Sequence, residues 1–516
     1  VQGTGVERWA DPQWGHELYT AGHLFQAAVA ASRCGVLPGL VDVARRFADL
    51  VVERFPAGDP YVEGHPEVET ALVELFRELG DRRHLEFAAR QVDARGHSWL
   101  GEDKFGSAYF QDAVPLRAAT GATGHAVRQL YLLAGAVDVA VEQHDDALLA
   151  AVERVVADLR DRRTYVTGAT GSRHRDEAIG DPYELPADRA YAESCAAIAS
   201  FQLNWRLLLA TGSVRYADAA EEVLYNALAA STAISGTEFF YSNPLHLRTG
   251  HDGSHEDAPT QRLPWYACAC CPPNVARLLA CAQDHVATAS PAGLALHLFS
   301  AGTVSTAVGG TPVDLTVRTS YPWSGDVEVD VSTNGEEAWE LGLRIPSWCR
   351  SWRIHVAGEV VPALAEDGYV RVRRSWRGWS SVRLELDLPV RWIEPHPHVD
   401  AVRGCVALAR GPVVHALEQA DLPAGTVLED LVLLGVEGPV WAGPGAISPV
   451  LLRARFGVRR SDGPLYRDRS DPLSPAVQAA GEEPDLVDHL TVDLVPYHRW
   501  ANRGPGAMRV WLPTAP

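Results

Sequence analysis

The chain has 516 residues, 47% hydrophobic and 22% charged, which is enough for two or three domains of ordinary globular composition. Its 46 basic and 66 acidic side chains give a formal charge of −20, which excludes a phosphate backbone or an anionic membrane surface as a natural partner. No run approaches the roughly 20 apolar residues of a membrane span, and no basic-then-apolar leader follows Val1.

From the start to about Ser290, apolar residues recur every three or four positions, the period of helices that bury one face. Leu72, Leu75, Phe76 and Leu79 form one such stripe. Three helices are expected to begin with Gly-His, at Gly22-His23, Gly64-His65 and Gly124-His125. Two more are expected at Glu193-Ser194-Cys195 and after Cys271-Pro272-Pro273-Asn274. The intervals leave room for a return helix and a loop each time, so the region reads as α-hairpins arranged in a ring. Only five starts are visible, so a ring of six would lack its first hairpin, which reads as a truncated N-terminus. From about Leu294, alternating runs such as TPVDLTVRTSYPW and SVRLELDLPV between Gly, Pro, Asn and Asp predict an antiparallel β-sandwich. The stretch from about Leu422 to Gly481 reads as irregular, and the closing LTVDLVPYHRWANRGPGAMRVWLP as a final strand pair. The expected division is a helical domain over 1–292, a β-sandwich over 293–420 and a second β region over 421–516, with the last strands able to return to the first sandwich.

Eight cysteines fall at Cys34, Cys195, Cys268, Cys270, Cys271, Cys281, Cys349 and Cys405. Scattered singles plus one dense cluster do not look like a disulfide framework; they suit a reducing, cytoplasmic compartment and a reactive or metal-bound cluster. In Cys268-Ala269-Cys270-Cys271-Pro272-Pro273-Asn274, a following helix or a bound zinc would lower a thiol pKa enough to give a thiolate at neutral pH. An inert buried cluster is the competing reading, because this is not the CxxC spacing of common zinc folds. Tyr191-Ala192-Glu193-Ser194-Cys195 opens another helix. Its carboxylate and thiol would complete a four-ligand site with Cys270 and Cys271, or else Glu193 only favours the helix N-terminus and Cys195 fills core. The polar loop from Gly171 to Gly180 presents Glu177, a carboxylic acid able to protonate a leaving oxygen if its surroundings raise its pKa, although most loop glutamates are simply solvated. Histidines 23, 65 and 125 at equivalent helix starts would converge on a central funnel and hydrogen-bond hydroxyl groups.

Taken together, HELYTAGHL, EGHPEVETALVEL, TGHAVRQLYL, GSRHRDEAIGDPYELP, AYAESCAAIA, EFFYSNPL, CACCPPN, LRIPSW and VPYHRWANRGPG resemble the bacterial β-L-arabinofuranosidases nearly end to end. The resemblance implies an (α/α)6 barrel, here without its first hairpin, followed by β-sandwich domains. It implies a retaining glycoside hydrolase acting on β-linked L-arabinofuranose through a cysteine thioglycosyl-enzyme intermediate. Cys270 would be the nucleophile and Glu177 the acid/base. Glu193, Cys195, Cys270 and Cys271 would hold Zn2+, and His23, His65, His125, Tyr241 and Cys268 would face the sugar. Relatives usually carry a small residue before the acid/base glutamate and an aromatic one after it, whereas Asp176 and Ala178 flank Glu177 here, which bears on substrate fit. Two other activities stand beside this one: the same mechanism on another L-pentose-like or branched acidic plant sugar, and a non-catalytic carbohydrate-binding protein with an incomplete ring. A helical-ring epimerase or lyase would predict no zinc. The expected partner is a glycoside or oligosaccharide, with a homodimer as the expected assembly if a β domain mediates one.

Overall fold

The computed structural model describes residues 7–58, 61–101, 103–251, 259–459, 465–466 and 486–514. The chain divides into two compact units. One contains the residues up to Gly212 except Val166–Gly168 and Pro186–Ala190; the other contains those two short pieces and Ser213–Pro516. Among the described residues, no helix is long and apolar enough to cross a membrane.

The first unit is helical. Three hairpins, α1 (Glu17–Arg33) with α2 (Leu40–Arg54), α3 (Val68–Leu79) with α4 (Arg82–Ala94) and α5 (Ala126–Gln143) with α6 (Asp146–Arg162), are followed by α7 (Ser194–Thr211). Helices α1, α3, α5 and α7 pack side by side in that order, each of the first three against its own return helix. Burial follows this layering. Every residue of α5 from Ala126 to Ala140 is buried, whereas α2 buries only Ala44, Ala48 and Val51. The buried stretch of α5 is mostly apolar, and each fully buried leucine such as Leu130 or Leu133 contributes about 2 kcal/mol of burial. Local stops are chemical: Gly80 closes α3 at φ +77°, and Asp81 caps α4 by accepting the Arg83 N–H at 3.0 Å.

The three Gly-His pairs do not occupy equivalent places. Gly124 has φ +69° and His125 is the N-cap of α5, as expected. His65 lies before α3, whose N-cap is Glu67. His23 is inside α1, which starts earlier at Glu17, so the expectation of a helix start there is wrong. Gly22 is needed for a different reason: a Cβ there would come within 2.8 Å of Glu67 Cγ and 3.2 Å of the Val68 Cα, where α1 meets the start of α3.

The second unit carries α8 (Val214–Val223), α9 (Cys271–Ala280) and the β structure. Apart from the two-residue strand His246–Leu247, which pairs with Met508–Arg509, strands begin at Ala287, slightly before the expected end of the helical region. A five-stranded and a six-stranded sheet over 287–386 enclose one core that includes Phe299, Leu315, Val329, Leu341, Leu343 and Trp376. The pairing is antiparallel except between Gly293–Leu296 and Ala338–Arg344, which run parallel. Arg344 ties this sandwich to α8. Its buried guanidinium pairs with Glu221 and, at 2.5 Å, with Asp218, while Trp348 and Tyr321 donate to the same Glu221 carboxylate. A buried guanidinium requires such partners because desolvation costs more than any single contact returns.

The stretch read as irregular contains two long strands, Leu431–Trp441 and Val450–Arg459, paired as a hairpin. Its remaining part, 460–464 and 467–481, lies outside the described residues. The alternation is masked because the register shifts between Leu433 and Gly435 and again between Val436 and Gly438, each shift changing which side chains face inward. Leu486–Pro496 joins this hairpin, and the short closing strands at Met508–Arg509 and Leu512–Pro513 pair with Val413–Glu418 and Cys405–Arg410.

Candidate active site

In the helical unit the site is built around the N-terminus of α5. The loop between α6 and α7 closes as a tight hairpin in which Arg173 and Ala178 exchange backbone hydrogen bonds of 3.1 Å, leaving Glu177 at φ +54°. A non-glycine residue held in the left-handed region is costly, and such positions cluster where a side chain must be aimed. The loop is fastened to α5, since Ala126 N–H donates to Glu177 O and Ile179 N–H to Gly124 O. The Glu177 carboxylate, about one-third exposed at 34%, lies 2.8 Å from His125 Nε2 and accepts from Tyr191 O–H at 2.5 Å.

Glu193 is 2% exposed and stands at the N-cap of α7 without capping it, and its carboxylate lies within 4.8 Å of the ligand atoms of His125 and Glu177. Cys195 is buried in the first turn of the same helix. Rings continue the site from His125: His65 at 6.0 Å, Tyr19 at 4.3 Å from His65, and His23 at 4.6 Å from Tyr19. His23 Nδ1 is 3.2 Å from Glu67. His65 Nδ1 is 2.8 Å from the Pro66 carbonyl, which can only accept, so the proton sits on Nδ1 and Nε2 is an acceptor. Burial, with the nearby Arg128 charge, holds His65 neutral, its pKa well below the usual histidine value. Arg128 itself is buried over the rings of Trp14, Tyr109 and Phe110, and burial lowers its pKa to about 10, still cationic at neutral pH. Tyr109 is pushed up to about 12 by burial and by the carboxylates of Glu177, Asp176 and Glu193, against the pull of Arg128, so its hydroxyl keeps its proton.

In the second unit, Cys270 is the N-cap of α9 and Cys271 its first residue, with prolines filling the positions whose N–H groups would have no partner in the helix. Cys270 is half-buried, Cys271 buried and Cys268 exposed. The Cys270 and Cys271 sulfurs are 3.7 Å apart and not bonded to each other. Two thiolates about 2.3 Å from one zinc at a tetrahedral angle would sit about 3.8 Å apart, so this pair fits that ion. Tyr241 stands 5.8 Å from the ring of Tyr266. Glu193 and Cys195 in the helical unit, and Cys270 and Cys271 in the second unit, are a carboxylate and thiols of the kind whose softness suits zinc.

The GH127 catalytic domain of the β-L-arabinofuranosidases matches residues 2–284, with the middle and C-terminal domains of that family matching 293–388 and 390–513. The chain belongs to glycoside hydrolase family 127. This family 127 hydrolase is 33% identical to a non-reducing end β-L-arabinofuranosidase of Bifidobacterium longum subsp. longum, over 98% of its own length and 80% of the relative's. It superimposes with a TM-score of 0.91 on a GH127 β-L-arabinofuranosidase from Geobacillus stearothermophilus T6, at 32% identity, covering 100% of this chain and 82% of that one. A second family 127 β-arabinofuranosidase superimposes with a TM-score of 0.86 at 29% identity, covering 100% and 79%.

Within the hydrolase, the helical unit gathers His23, His65, His125, Glu177 and Glu193, and the second unit brings together Cys270 and Cys271. Sequence reasoning did not assign roles to Tyr19, Tyr109, Arg128 or Tyr191. Only Tyr191 carried a signal, as the aromatic residue two places before Glu193.

Proposed function

We propose that this hydrolase removes non-reducing terminal β-L-arabinofuranose with retention of configuration, using Cys270 as nucleophile and Glu177 as acid/base. The observation that carries the reading is the Cys270–Cys271 pair, two unbridged thiols 3.7 Å apart at a helix N-terminus, in a chain whose family is named for this activity. Such a site favours thiolate over thiol.

In the first step the Cys270 sulfur forms a bond to the anomeric carbon as the glycosidic C–O bond breaks, and Glu177 delivers its proton to the leaving oxygen. In the second, Glu177 takes a proton from water, the water oxygen bonds to the anomeric carbon, and the C–S bond breaks to return Cys270 as a thiolate. Glu193, Cys195, Cys270 and Cys271 would hold a zinc ion, whose positive charge would favour the thiolate form of Cys270. His23, His65, His125, Tyr241 and Cys268 are assigned to the sugar, with His65 Nε2 accepting from a hydroxyl. The succession α1, α3, α5, α7 is read as part of the (α/α)6 barrel. The spacing of the eight cysteines, one dense cluster and scattered singles, supports a reducing, cytoplasmic setting.

A p-nitrophenyl β-L-arabinofuranoside, supplied under reducing conditions with trace zinc, is expected to be hydrolysed, and proton NMR of the earliest product to show the β anomer before mutarotation. An α anomer first would overturn retention. Cleavage of another pentoside with the arabinofuranoside untouched would overturn the substrate.

A further inference from the structure

Apart from the residues assigned to catalysis, Asp49, Asp81 and His84 bring three ligand atoms within 4.8 Å of one another in the helical unit. Asp49 comes from α2, Asp81 is the N-cap of α4, and His84 sits in the first turn of α4. His84 is the member that calls for an explanation. Its side chain is 0% exposed and neither ring nitrogen has a hydrogen-bond partner, a condition that costs about 1–3 kcal/mol for a buried polar group. Nε2 is aimed at Asp49 Oδ1 but stops at 3.7 Å, too long for a hydrogen bond. That separation is close to the roughly 3.4 Å between two ligands that each stand about 2.1 Å from one ion at a tetrahedral angle.

A cationic group already stands between the two carboxylates. Arg83 Nη2 lies 2.6 Å from Asp49 Oδ1 and 2.6 Å from Asp81 Oδ2, on a side chain that is 51% exposed and can swing into water. Arg45 holds the other oxygen of Asp49 at 3.2 Å. The Arg83 guanidinium satisfies both carboxylates and leaves the His84 nitrogens unmet, whereas a metal ion in the same place would satisfy all three.

We propose that Asp49, Asp81 and His84 form a second cation site, for a divalent ion of the zinc class, with Arg83 as its built-in competitor. One imidazole with two carboxylates suits zinc, cobalt or nickel over calcium or magnesium, which take oxygen ligands. Both carboxylates are partly exposed, so water can complete the shell. Arg83 must give up charge-assisted hydrogen bonds to both carboxylates before an ion enters, so the site is weaker than one built from thiolates and fills only when metal is supplied. Filled, it ties α2 to the start of α4.

The test is equilibrium dialysis of the full chain against Zn2+ up to about 100 µM, with bound zinc counted by elemental analysis. Wild type is expected to take up about one ion per chain more than either His84→Asn or Asp49→Asn, a difference that does not depend on what the cysteines hold. Arg83→Ala, which removes the competitor from the surface, is expected to fill this extra site at least about tenfold more tightly. Added zinc should raise the melting temperature of wild type and not that of His84→Asn. Turnover after removal of the excess zinc should stay within about twofold of wild type in all three variants. Equal zinc uptake by wild type, His84→Asn and Asp49→Asn would overturn the site, and so would an Arg83→Ala enzyme that binds the extra ion no more tightly than wild type. If His84→Asn does not fold, Asp49→Asn and Arg83→Ala decide the matter between them.

Discussion

Cys270→Ala is expected to lower kcat/KM for aryl β-L-arabinofuranosides by at least about 10⁴-fold, on the order of 5 kcal/mol of transition-state stabilisation. The substitution removes the only atom that bonds to the anomeric carbon, and no other group in the proposed reaction can replace it. It should do little to the fold, because Cys270 is half-buried and makes no side-chain cap bond to α9. Circular dichroism is therefore expected to stay close to wild type, and because Cys270 is also assigned to the zinc, the melting temperature is expected to fall no further than that of chelator-treated wild type. Turnover within tenfold of wild type would show that another nucleophile operates, and would leave the Cys270–Cys271 pair a structural feature.

The second large effect is expected at Cys195. Cys195→Ser replaces a soft thiolate by a hydroxyl that does not ionise at neutral pH, leaving two thiols and one carboxylate in the donor set. Elemental analysis of the purified protein is expected to show about one zinc per chain for wild type and less than about a tenth for the variant. Turnover should fall on the order of 100-fold or more, in step with the metal. Because ligands bound to the folded state stabilise it, a chelator should lower the melting temperature of wild type and leave Cys195→Ser unmoved. Stoichiometric zinc in Cys195→Ser would strike this residue from the ligand set.

What could be read from sequence follows from how local each signal is. The order of helices then strands is written in apolar period, and the thiol chemistry in a run of adjacent residues, so both were legible. The Gly-His pairs look alike as letters yet serve different geometries: Gly124 supplies a positive φ before a cap, whereas Gly22 lets α1 approach α3 from inside the helix. That difference depends on which helix lies across, which spacing does not encode. The strands over 431–459 were missed because two register shifts interrupt their alternation. Nor could the link from Tyr191 to Glu177 be foreseen, since it depends on a turn that folds the chain back and on the left-handed backbone of Glu177 itself.

The central claim, that a cysteine carries the sugar, is tested most directly by acid-quenching the enzyme during turnover of an excess of p-nitrophenyl β-L-arabinofuranoside and locating the added mass by peptide mapping. The account predicts one anhydropentose on Cys270, absent from Cys270→Ala. An adduct on Glu177 or Glu193, or product formed with inversion and no adduct on any residue, would contradict it.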